Sequence, residues 1–253
     1  MSFFTYFFDK SPYLKGKMSE NDVTAKLTTR LILNSGGKTL NNLLVPKRSG
    51  GTSEIDIVHI TRKGIFVFEN KNYAGYIFGS ENNKEWTVTL YAGKSRFGGR
   101  RVIKHHFYNP IRQNKTHIKS LLEYLKSDVR IFSFITFSDR GELKDVTVYS
   151  PNIYICNHRD LLRNMGYIWD CNPDVLTDEQ INGIYNTLLP LTYAAPETRT
   201  AHEIRVRNIK NNLVCPACGG NLVIRQVKDG YNKGRQFYGC SNYPKCRYTK
   251  NIK

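Results

Sequence analysis

The stretch EIDIVHITRKGIFVFENKN, residues 54–72, contains two runs of β-branched and aromatic residues separated by a short polar turn. Two such runs joined by a turn that ends in Gly64 are typical of an antiparallel hairpin. Because side chains alternate along a strand, Glu69 and Lys71 are expected on one face of the second strand. The sequence therefore predicts a hairpin with an acid and a lysine side by side.

A second acid, Asp56, lies in the first strand of this hairpin. Two carboxylates held together repel each other, and burial disfavours their ionised forms, unless a divalent cation lies between them. Mg²⁺ or Mn²⁺ held by Asp56 and Glu69 would activate water for attack on a phosphodiester, with Lys71 orienting that water or offsetting the developing charge. A surface ladder of salt bridges is the alternative that the pattern leaves open.

Around the hairpin, helical and strand-like segments alternate, which predicts an α/β (α+β) fold. Asn109 is expected to cap a helix that begins at Pro110, and Thr177 begins another in capping-box spacing with Gln180. Helices are expected at residues 20–34, 109–126, from 159 and at 178–189, strands at 86–92, 130–138 and 146–150, and a linker at 192–212.

The chain has a formal net charge of +17, and twelve Lys and Arg against three acids follow Pro190. Such a charge attracts polyanions, of which nucleic acids are the commonest in a cell, although a merely solvated tail is the alternative. A Gly- and Arg-rich segment at residues 94–106 is expected to be a loop that faces DNA or solvent. Its candidate DNA-binding residues are Arg96, Arg100, Arg101 and Lys104.

Four of the six cysteines form two pairs near the end of the chain. The first pair, with two residues between, precedes two glycines that allow the tight bend of a thiolate knuckle. Five residues separate the second pair, and the twenty-one residues between the pairs are enough for a β-hairpin. We expect one structural Zn²⁺, whose binding supplies the folding free energy of so small a module. The four expected ligands are Cys215, Cys218, Cys240 and Cys246.

The pattern CPACGGNLVIRQ…GRQFYGCSNYPKCRYTK, residues 215–250, resembles the zinc finger at the C-terminal end of bacterial type I topoisomerases. The resemblance implies binding to single-stranded or locally opened DNA. Aromatic and cationic residues alternate here in the mixture that such binding uses, although some of the aromatics must form the core instead. The candidate DNA-binding residues of this finger, expected at 213–253, are Arg225, Arg235, Tyr238, Tyr243 and Arg247.

The segments KSPYLKGKMSEND, EIDIVHITRKGIFVFENKNYAGYIFG and NPIRQNKTHIKSLL resemble the bacterial nuclease-related domain (NERD) family. The resemblance covers about residues 11–162, within an expected domain of 1–191. It implies a fold similar to the PD-(D/E)xK restriction endonucleases, with a mixed sheet flanked by helices. It also implies Asp56 and Glu69 as metal ligands and Lys71 as the catalytic lysine. Glu20 would be an accessory acid of the first helix, and Gln113 would reach toward metal-bound water or phosphate. His59 is expected to be structural.

The combined expectation is a Mg²⁺- or Mn²⁺-dependent DNA nuclease with a DNA-binding zinc finger. A non-catalytic adaptor in DNA repair or phage defence, and a nuclease directed at RNA, are the alternatives. The aromatic run at residues 3–8 lacks the preceding cationic segment of a signal peptide, and no stretch approaches the roughly 20 apolar residues of a membrane span. We therefore expect a cytoplasmic protein, in which Cys156 and Cys171 are ordinary thiols.

Overall fold

The chain divides into two compact units, Met1–Tyr193 and Ala194–Lys253. The predicted α/β class, with mixed sheets flanked by helices and a separate four-cysteine module, is confirmed. Val23–Ala25 are helical, but the rest of the predicted first helix, with Glu20, lies outside the described residues. The computed structural model describes residues 23–25, 37–48, 50–94, 100–211, 213–215, 217–230 and 232–252.

The described part of the first unit contains nine strands and three longer α-helices. Two of the helices begin as predicted: Pro110 follows the cap Asn109, and Thr177 forms a capping box with Gln180. The strands are β1 (Lys38–Pro46), β2 (Thr52–Thr61), β3 (Gly64–Lys71), β4 (Gly75–Ser80), β5 (Glu85–Lys94), β6 (Arg100–Tyr108), β7 (Ile131–Phe137), β8 (Gly141–Thr147) and β9 (Ile153–Asn157), and the helices are α1 (Pro110–Leu125), α2 (Leu161–Cys171) and α3 (Asp178–Leu188).

A five-stranded mixed sheet in the order β1-β2-β3-β7-β9 forms the centre of this unit. The hairpin of β2 and β3 is antiparallel, as predicted, and β7 joins β3 in parallel. One face of the sheet packs on α1 and α3, and the other packs Phe66, Phe68 and Phe134 against α2. Burial on both faces explains why β3 is apolar until it reaches Glu69.

A second sheet has the order β6-β5-β4-β8 and packs Trp86 and Phe107 against β7. The expectation of a loop at residues 94–106 is wrong for Lys94, which ends β5, and for Arg100 onward. The segment from Arg100 pairs along β5, with Val88 opposite His105 and Leu90 opposite Ile103. The predicted strand at 146–150 is displaced to β8, which pairs in parallel with β4. Strands β1, β4 and β9 have no counterpart among the sequence-based expectations.

The second unit begins with helix α4 (Pro196–Lys210), which occupies most of the predicted linker. It continues into a three-stranded antiparallel sheet of β10 (Leu222–Gln226), β11 (Gln236–Cys240) and β12 (Thr249–Asn251). The predicted hairpin between the cysteine pairs is therefore confirmed. Among the described helices of both units, none combines the length and apolar character needed to cross a bilayer.

Candidate functional site

Glu69 and Lys71 meet on one face at the end of β3. The Lys71 ammonium lies 2.5 Å from Oε1 of Glu69, and the Glu69 carboxylate is almost completely buried, with 2% of its side chain exposed. The alternation of a β-strand places the two side chains on the same face, as the sequence predicted. This pair forms the centre of the candidate site.

Helix α1 covers the pair with two side chains one turn apart. Oε1 of Gln113 accepts a hydrogen bond from Nζ of Lys71 at 3.1 Å. Four residues later, Nε2 of His117 lies 3.1 Å from Oε2 of Glu69, while its Nδ1 is 2.7 Å from the Ser53 hydroxyl. Residues four apart share a helical face, so α1 contacts both members of the Glu-Lys pair.

Buried asparagines fix α1 over the strands. Asn109 caps the helix by accepting a hydrogen bond from the Ile111 N–H, and its amide donates to carbonyls of the β4–β5 turn. The Asn114 amide donates to the Val67 carbonyl of β3 and to the Ser133 hydroxyl of β7. The predicted cap is confirmed, and these bonds hold Gln113 and His117 in place over β3.

Asp56 approaches the pair from β2. The backbone N–H of Asn70, between Glu69 and Lys71, donates to Oδ2 of Asp56 at 2.8 Å. The Asn70 side chain points to the opposite face of the sheet, where Thr136 donates to its carbonyl oxygen and His158 lies 2.8 Å away. Asn70 therefore bonds to Asp56 through its backbone and to Thr136 and His158 through its side chain.

Opposite charges keep the pair ionised despite burial. Burial alone would raise the pKa of Glu69, but the Lys71 charge and the contact with His117 lower it below its ordinary value. Burial would lower the pKa of Lys71, yet the charges of Glu69 and then Asp56 raise it. The site therefore holds two carboxylates around one ammonium group.

Tyr73 extends the site beyond Lys71. Burial raises the pKa of its hydroxyl, and the charges of Lys71 and Glu69 act on it as well, in opposite directions. Its ring lies 4.5 Å from that of Phe107 and 6.1 Å from that of His105, centroid to centroid. Tyr73 thus connects the Glu-Lys pair to strand β6.

The oxygen donors around Lys71 suit a hard cation. Mg²⁺ and Mn²⁺ prefer carboxylate oxygens, which Asp56 and Glu69 supply. Oε2 of Glu69 is buried and receives no aligned hydrogen bond, although His117 is close. A buried carboxylate oxygen without a proton donor is an unsatisfied acceptor, so the donor set fits a divalent cation.

Other candidate residues from the sequence include a buried histidine and exposed basic residues on strand β6. His59 is buried and bonds to the Thr39 hydroxyl, and burial lowers its pKa to about 4, which agrees with a structural role. Arg101 and Lys104 are exposed on β6. Arg100 lies in the same strand, and Arg96 is outside the described residues.

Four cysteine sulfurs come together in the second unit, all within 4.8 Å of one another. The Sγ atoms of Cys215 and Cys246 are 3.7 Å apart, close to the edge of about 3.8 Å for a tetrahedron with Zn–S bonds of about 2.3 Å. The Gly220 N–H lowers the pKa of Cys218 to about 6. Burial raises that of Cys240 to about 12, so its thiolate forms when a cation displaces the proton. The cluster fits one structural Zn²⁺.

The finger divides its candidate DNA-binding residues between its surface and its core. Tyr243 is 60% exposed, and the guanidinium of Arg225 lies 5.5 Å from its ring centroid. Arg225 lies flat across Gly239, where a Cβ would be 2.6 Å from the arginine side chain. Tyr238 instead packs against the cysteine core. Arg235 and Arg247 are exposed.

Sequence reasoning missed His117, Ser53 and Tyr73. His117 lies one helical turn after Gln113, and this spacing was the available signal. Ser53 and Tyr73 carry no comparable signal, because their contacts depend on how α1 and β6 pack on the sheet.

Two family models match the chain. One, described as the nuclease-related domain (NERD), matches residues 15–138, and the other, described as a topoisomerase DNA-binding C4 zinc finger, matches residues 213–253. The first match includes the Glu-Lys pair and all of α1, and the second includes all four cysteines. No solved structure was found to match.

Three curated relatives match different shares of the chain. An uncharacterised protein of Bacillus anthracis is 32% identical over 181 residues, which cover 70% of this chain and 77% of that protein. DNA topoisomerase 1 of Archaeoglobus fulgidus is 41% identical over 64 residues, 24% of this chain and 9% of the enzyme. The uncharacterised protein YrdD of Escherichia coli is 54% identical over 45 residues, 18% of this chain and 22% of that protein. The likeness to the topoisomerase is thus confined to a small part of that enzyme.

Proposed function

Since the chain belongs to the nuclease-related domain family and carries a topoisomerase-type zinc finger, we propose that it is a divalent-metal-dependent nuclease that hydrolyses DNA phosphodiester bonds. The observation that carries this proposal is the Glu69–Lys71 pair, covered by Gln113 and His117 and approached by Asp56. A salt-bridge ladder on the surface would not bury Glu69 or press a helix against it.

Each side chain has a part in the proposed reaction. Asp56 and Glu69 offer carboxylate oxygens to Mg²⁺ or Mn²⁺, and Glu20 would add a third. Such a cation supplies water activation and stabilises negative charge on the phosphate. Lys71, held by Glu69 and Gln113, directs its ammonium toward the charge that develops during cleavage.

His117 is a positioning residue in this proposal. Its ring lies between the Ser53 hydroxyl and Oε2 of Glu69, so that the carboxylate keeps one orientation. Buried partners that orient ligands in this way typically change metal affinity or activity by about 10- to 100-fold when they are removed.

The finger would hold single-stranded or opened DNA for this reaction. Tyr243 presents an exposed ring backed by Arg225, and the exposed Arg235 and Arg247 supply cations for the phosphate backbone. Aromatic faces combined with cations bind single strands with little sequence preference.

The test is incubation of the full chain with supercoiled plasmid, with single-stranded DNA and with RNA of the same sequence, each with Mg²⁺ and Mn²⁺. We expect Asp56→Asn and Lys71→Met each to slow DNA cleavage by about 10²-fold or more. Lys144→Met, at an exposed lysine of β8 paired with Glu142, is the matched control and should cleave normally.

Equal cleavage by wild type and both site variants would reject the assigned site. Tight DNA binding without metal-dependent turnover by the wild type would favour the adaptor, and faster cleavage of RNA than of DNA would favour the RNA-directed nuclease.

A further inference from the structure

The β5–β6 hairpin extends beyond the sheet to which it belongs. β4 pairs with β5 only as far as Thr89 in the described residues, opposite Tyr76. The cross-strand pairs Leu90–Ile103 and Tyr91–Val102 lie past that point. We call the segment formed by residues 90–94 and 100–103 the ribbon, because within the described chain its two strands pair only with each other.

The ribbon exposes large apolar side chains on both of its faces. Leu90 and Ile103 are 40% and 47% exposed, and Tyr91 and Val102 are 61% and 50% exposed. Because side chains alternate, the first pair lies on one face and the second pair on the other. Apolar residues clustered in solvent indicate a surface that binds a partner, and here the partner must cover two faces.

The charge of the ribbon indicates what that partner is. Between Trp86 and Tyr108 the sequence contains five Lys and Arg and no acidic residue. Two of these cations, Arg101 and Lys104, have described and exposed side chains. A surface with one sign of charge and exposed apolar groups is complementary to a polyanion that also offers apolar contacts, which is the chemistry of DNA.

One face of the ribbon continues from the candidate active site. Val88 pairs with His105 and Leu90 pairs with Ile103, so these four side chains share a face. The His105 ring on this face contacts Tyr73, which lies two residues after Lys71. A DNA segment bound along this face would therefore reach the Glu69–Lys71 pair.

We propose that the ribbon enters the major groove of double-stranded DNA beside the cleavage site. The major groove is about 12 Å wide and admits a two-stranded β-ribbon, and its two walls cover both faces of the ribbon at once. A single strand lying on the protein would cover one face and leave the other apolar pair in water. The inference rests on the proposed function in taking DNA as the substrate, and it adds that this substrate includes a duplex segment.

Binding of the zinc-loaded full chain without added Mg²⁺ or Mn²⁺ tests the proposal apart from cleavage. The probes are a fluorescent blunt duplex and the fluorescent single strand of the same sequence. We expect Leu90→Ser/Ile103→Ser and Tyr91→Ser/Val102→Ser each to weaken duplex affinity by about tenfold. Both should leave single-strand affinity unchanged. Tyr149→Ser/Tyr167→Ser removes two rings that are 67% exposed elsewhere on the first unit and serves as the control.

Two further readouts identify the groove and the phosphate contacts. Wild type should protect guanine N7, an acceptor of the major groove, from methylation, and the ribbon variants should not. Arg101→Gln/Lys104→Gln should reduce the slope of log affinity against log salt by about two, since each phosphate contact contributes about one.

Several results would overturn the proposal. One is duplex affinity that stays at the wild-type value in both ribbon variants. Another is an equal loss for duplex and single strand, which would mean that the ribbon binds one strand. A third is a dimer of the wild type that the ribbon variants abolish, which would make this surface a contact between copies of the chain. Duplex binding that needs the ribbon, in a protein that never cleaves, supports the proposal and rejects only the nuclease function.

Discussion

The two candidate metal sites of this chain are built in opposite ways. In the first unit, Glu69 sits in a sheet packed on both faces, and hydrogen bonds from α1 and β7 fix the surrounding backbone. In the described part of the second unit, the buried cluster is Cys215, Leu222 and Cys240, too little apolar surface to order the module. The first fold places its carboxylates, whereas in the finger the metal holds the fold together.

The largest expected effect tests the dependence of the finger on zinc. Cys218→Ser should abolish zinc binding and expose β10 and β11 to hydrogen exchange, because structural zinc contributes about 10–16 kcal/mol of apparent folding free energy. Peptides from β3 and β7 should keep their protection. Metal analysis and hydrogen exchange with mass spectrometry measure both results.

Cys171→Ser is the matched control, since this thiol is exposed and lies outside the four-sulfur cluster. It should retain one zinc ion and full protection. Protection of β10 and β11 that persists in Cys218→Ser would contradict the contrast between the units, because the finger would then fold without its metal.

The second prediction tests whether the first site is organised by its own fold. His117→Ala should lower Mn²⁺ affinity and cleavage by about 10- to 100-fold, because the Glu69 carboxylate loses the partner that orients it. The loss should be smaller in His117→Gln, which keeps a polar side chain beside the Glu69 carboxylate. Calorimetric Mn²⁺ titration and cleavage rates measure these effects.

The thermal unfolding midpoint of each His117 variant provides the necessary check. His106→Ala, at an exposed histidine of β6, should bind Mn²⁺ with wild-type affinity. If His117→Ala binds Mn²⁺ as tightly as the wild type and unfolds at the same temperature, the residue fills space and does not position Glu69.

Local patterns were enough to predict part of this architecture. The β2–β3 hairpin, the cap at Asn109 and the cysteine knuckles depend on residues close in sequence, where alternation, capping and spacing act directly. The meeting of Glu69 and Lys71 follows from the same alternation. These features needed no knowledge of the tertiary fold.

Other parts of the fold and of the candidate site could not be predicted, because they lack a local signal or depend on contacts between residues far apart in the sequence. Strand β6 resembles a basic loop by composition, and its pairing with β5 makes it a strand. Helix α4 has no apolar periodicity to reveal it. The contact of His117 with Glu69 exists because α1 crosses β3, which the sequence around either residue does not specify. Tertiary contacts overrode composition in β6 and brought His117 to Glu69.

The third prediction distinguishes a surface tyrosine of the finger from a tyrosine of its core. If the exposed ring of Tyr243 stacks on bases, as proposed, Tyr243→Ala should weaken single-stranded DNA binding by about 1–3 kcal/mol without releasing zinc. Tyr243→Phe should bind as the wild type does. Tyr238→Ala should instead loosen the finger, since that ring packs against the cysteines.

Anisotropy with a labelled single strand and zinc analysis distinguish the two tyrosines. Wild-type affinity in Tyr243→Ala would exclude the stacking role. A loss of zinc in the same variant would mean that Tyr243 supports the fold, and the division between surface and core in the finger would then be wrong.

The smallest expected effect concerns Glu81, which anchors the turn below α1 by accepting hydrogen bonds from Lys115 and from the backbone N–H groups of Tyr149 and Ser150. Hydrogen bonds from the side chains of Lys115 and Ser150 are the main reason that the pKa of Glu81 is lowered to about 2. The ionised Glu81 carboxylate therefore stabilises the folded state fully above its ordinary pKa of about 4.5, and this stabilisation is lost as the pH falls toward 2. Glu81→Gln should cost about 1–2 kcal/mol of unfolding free energy at neutral pH.

Urea unfolding followed by tryptophan fluorescence measures this cost in the first unit alone, because Trp86 and Trp169 both belong to it. The difference between wild type and Glu81→Gln should shrink between pH 4.5 and pH 2 as the wild-type carboxyl takes up its proton. Stripping zinc should leave the difference unchanged, since the first unit is ordered by its own hydrogen bonds. A difference that stays constant with pH would show that the charge of Glu81 has no part in holding the turn.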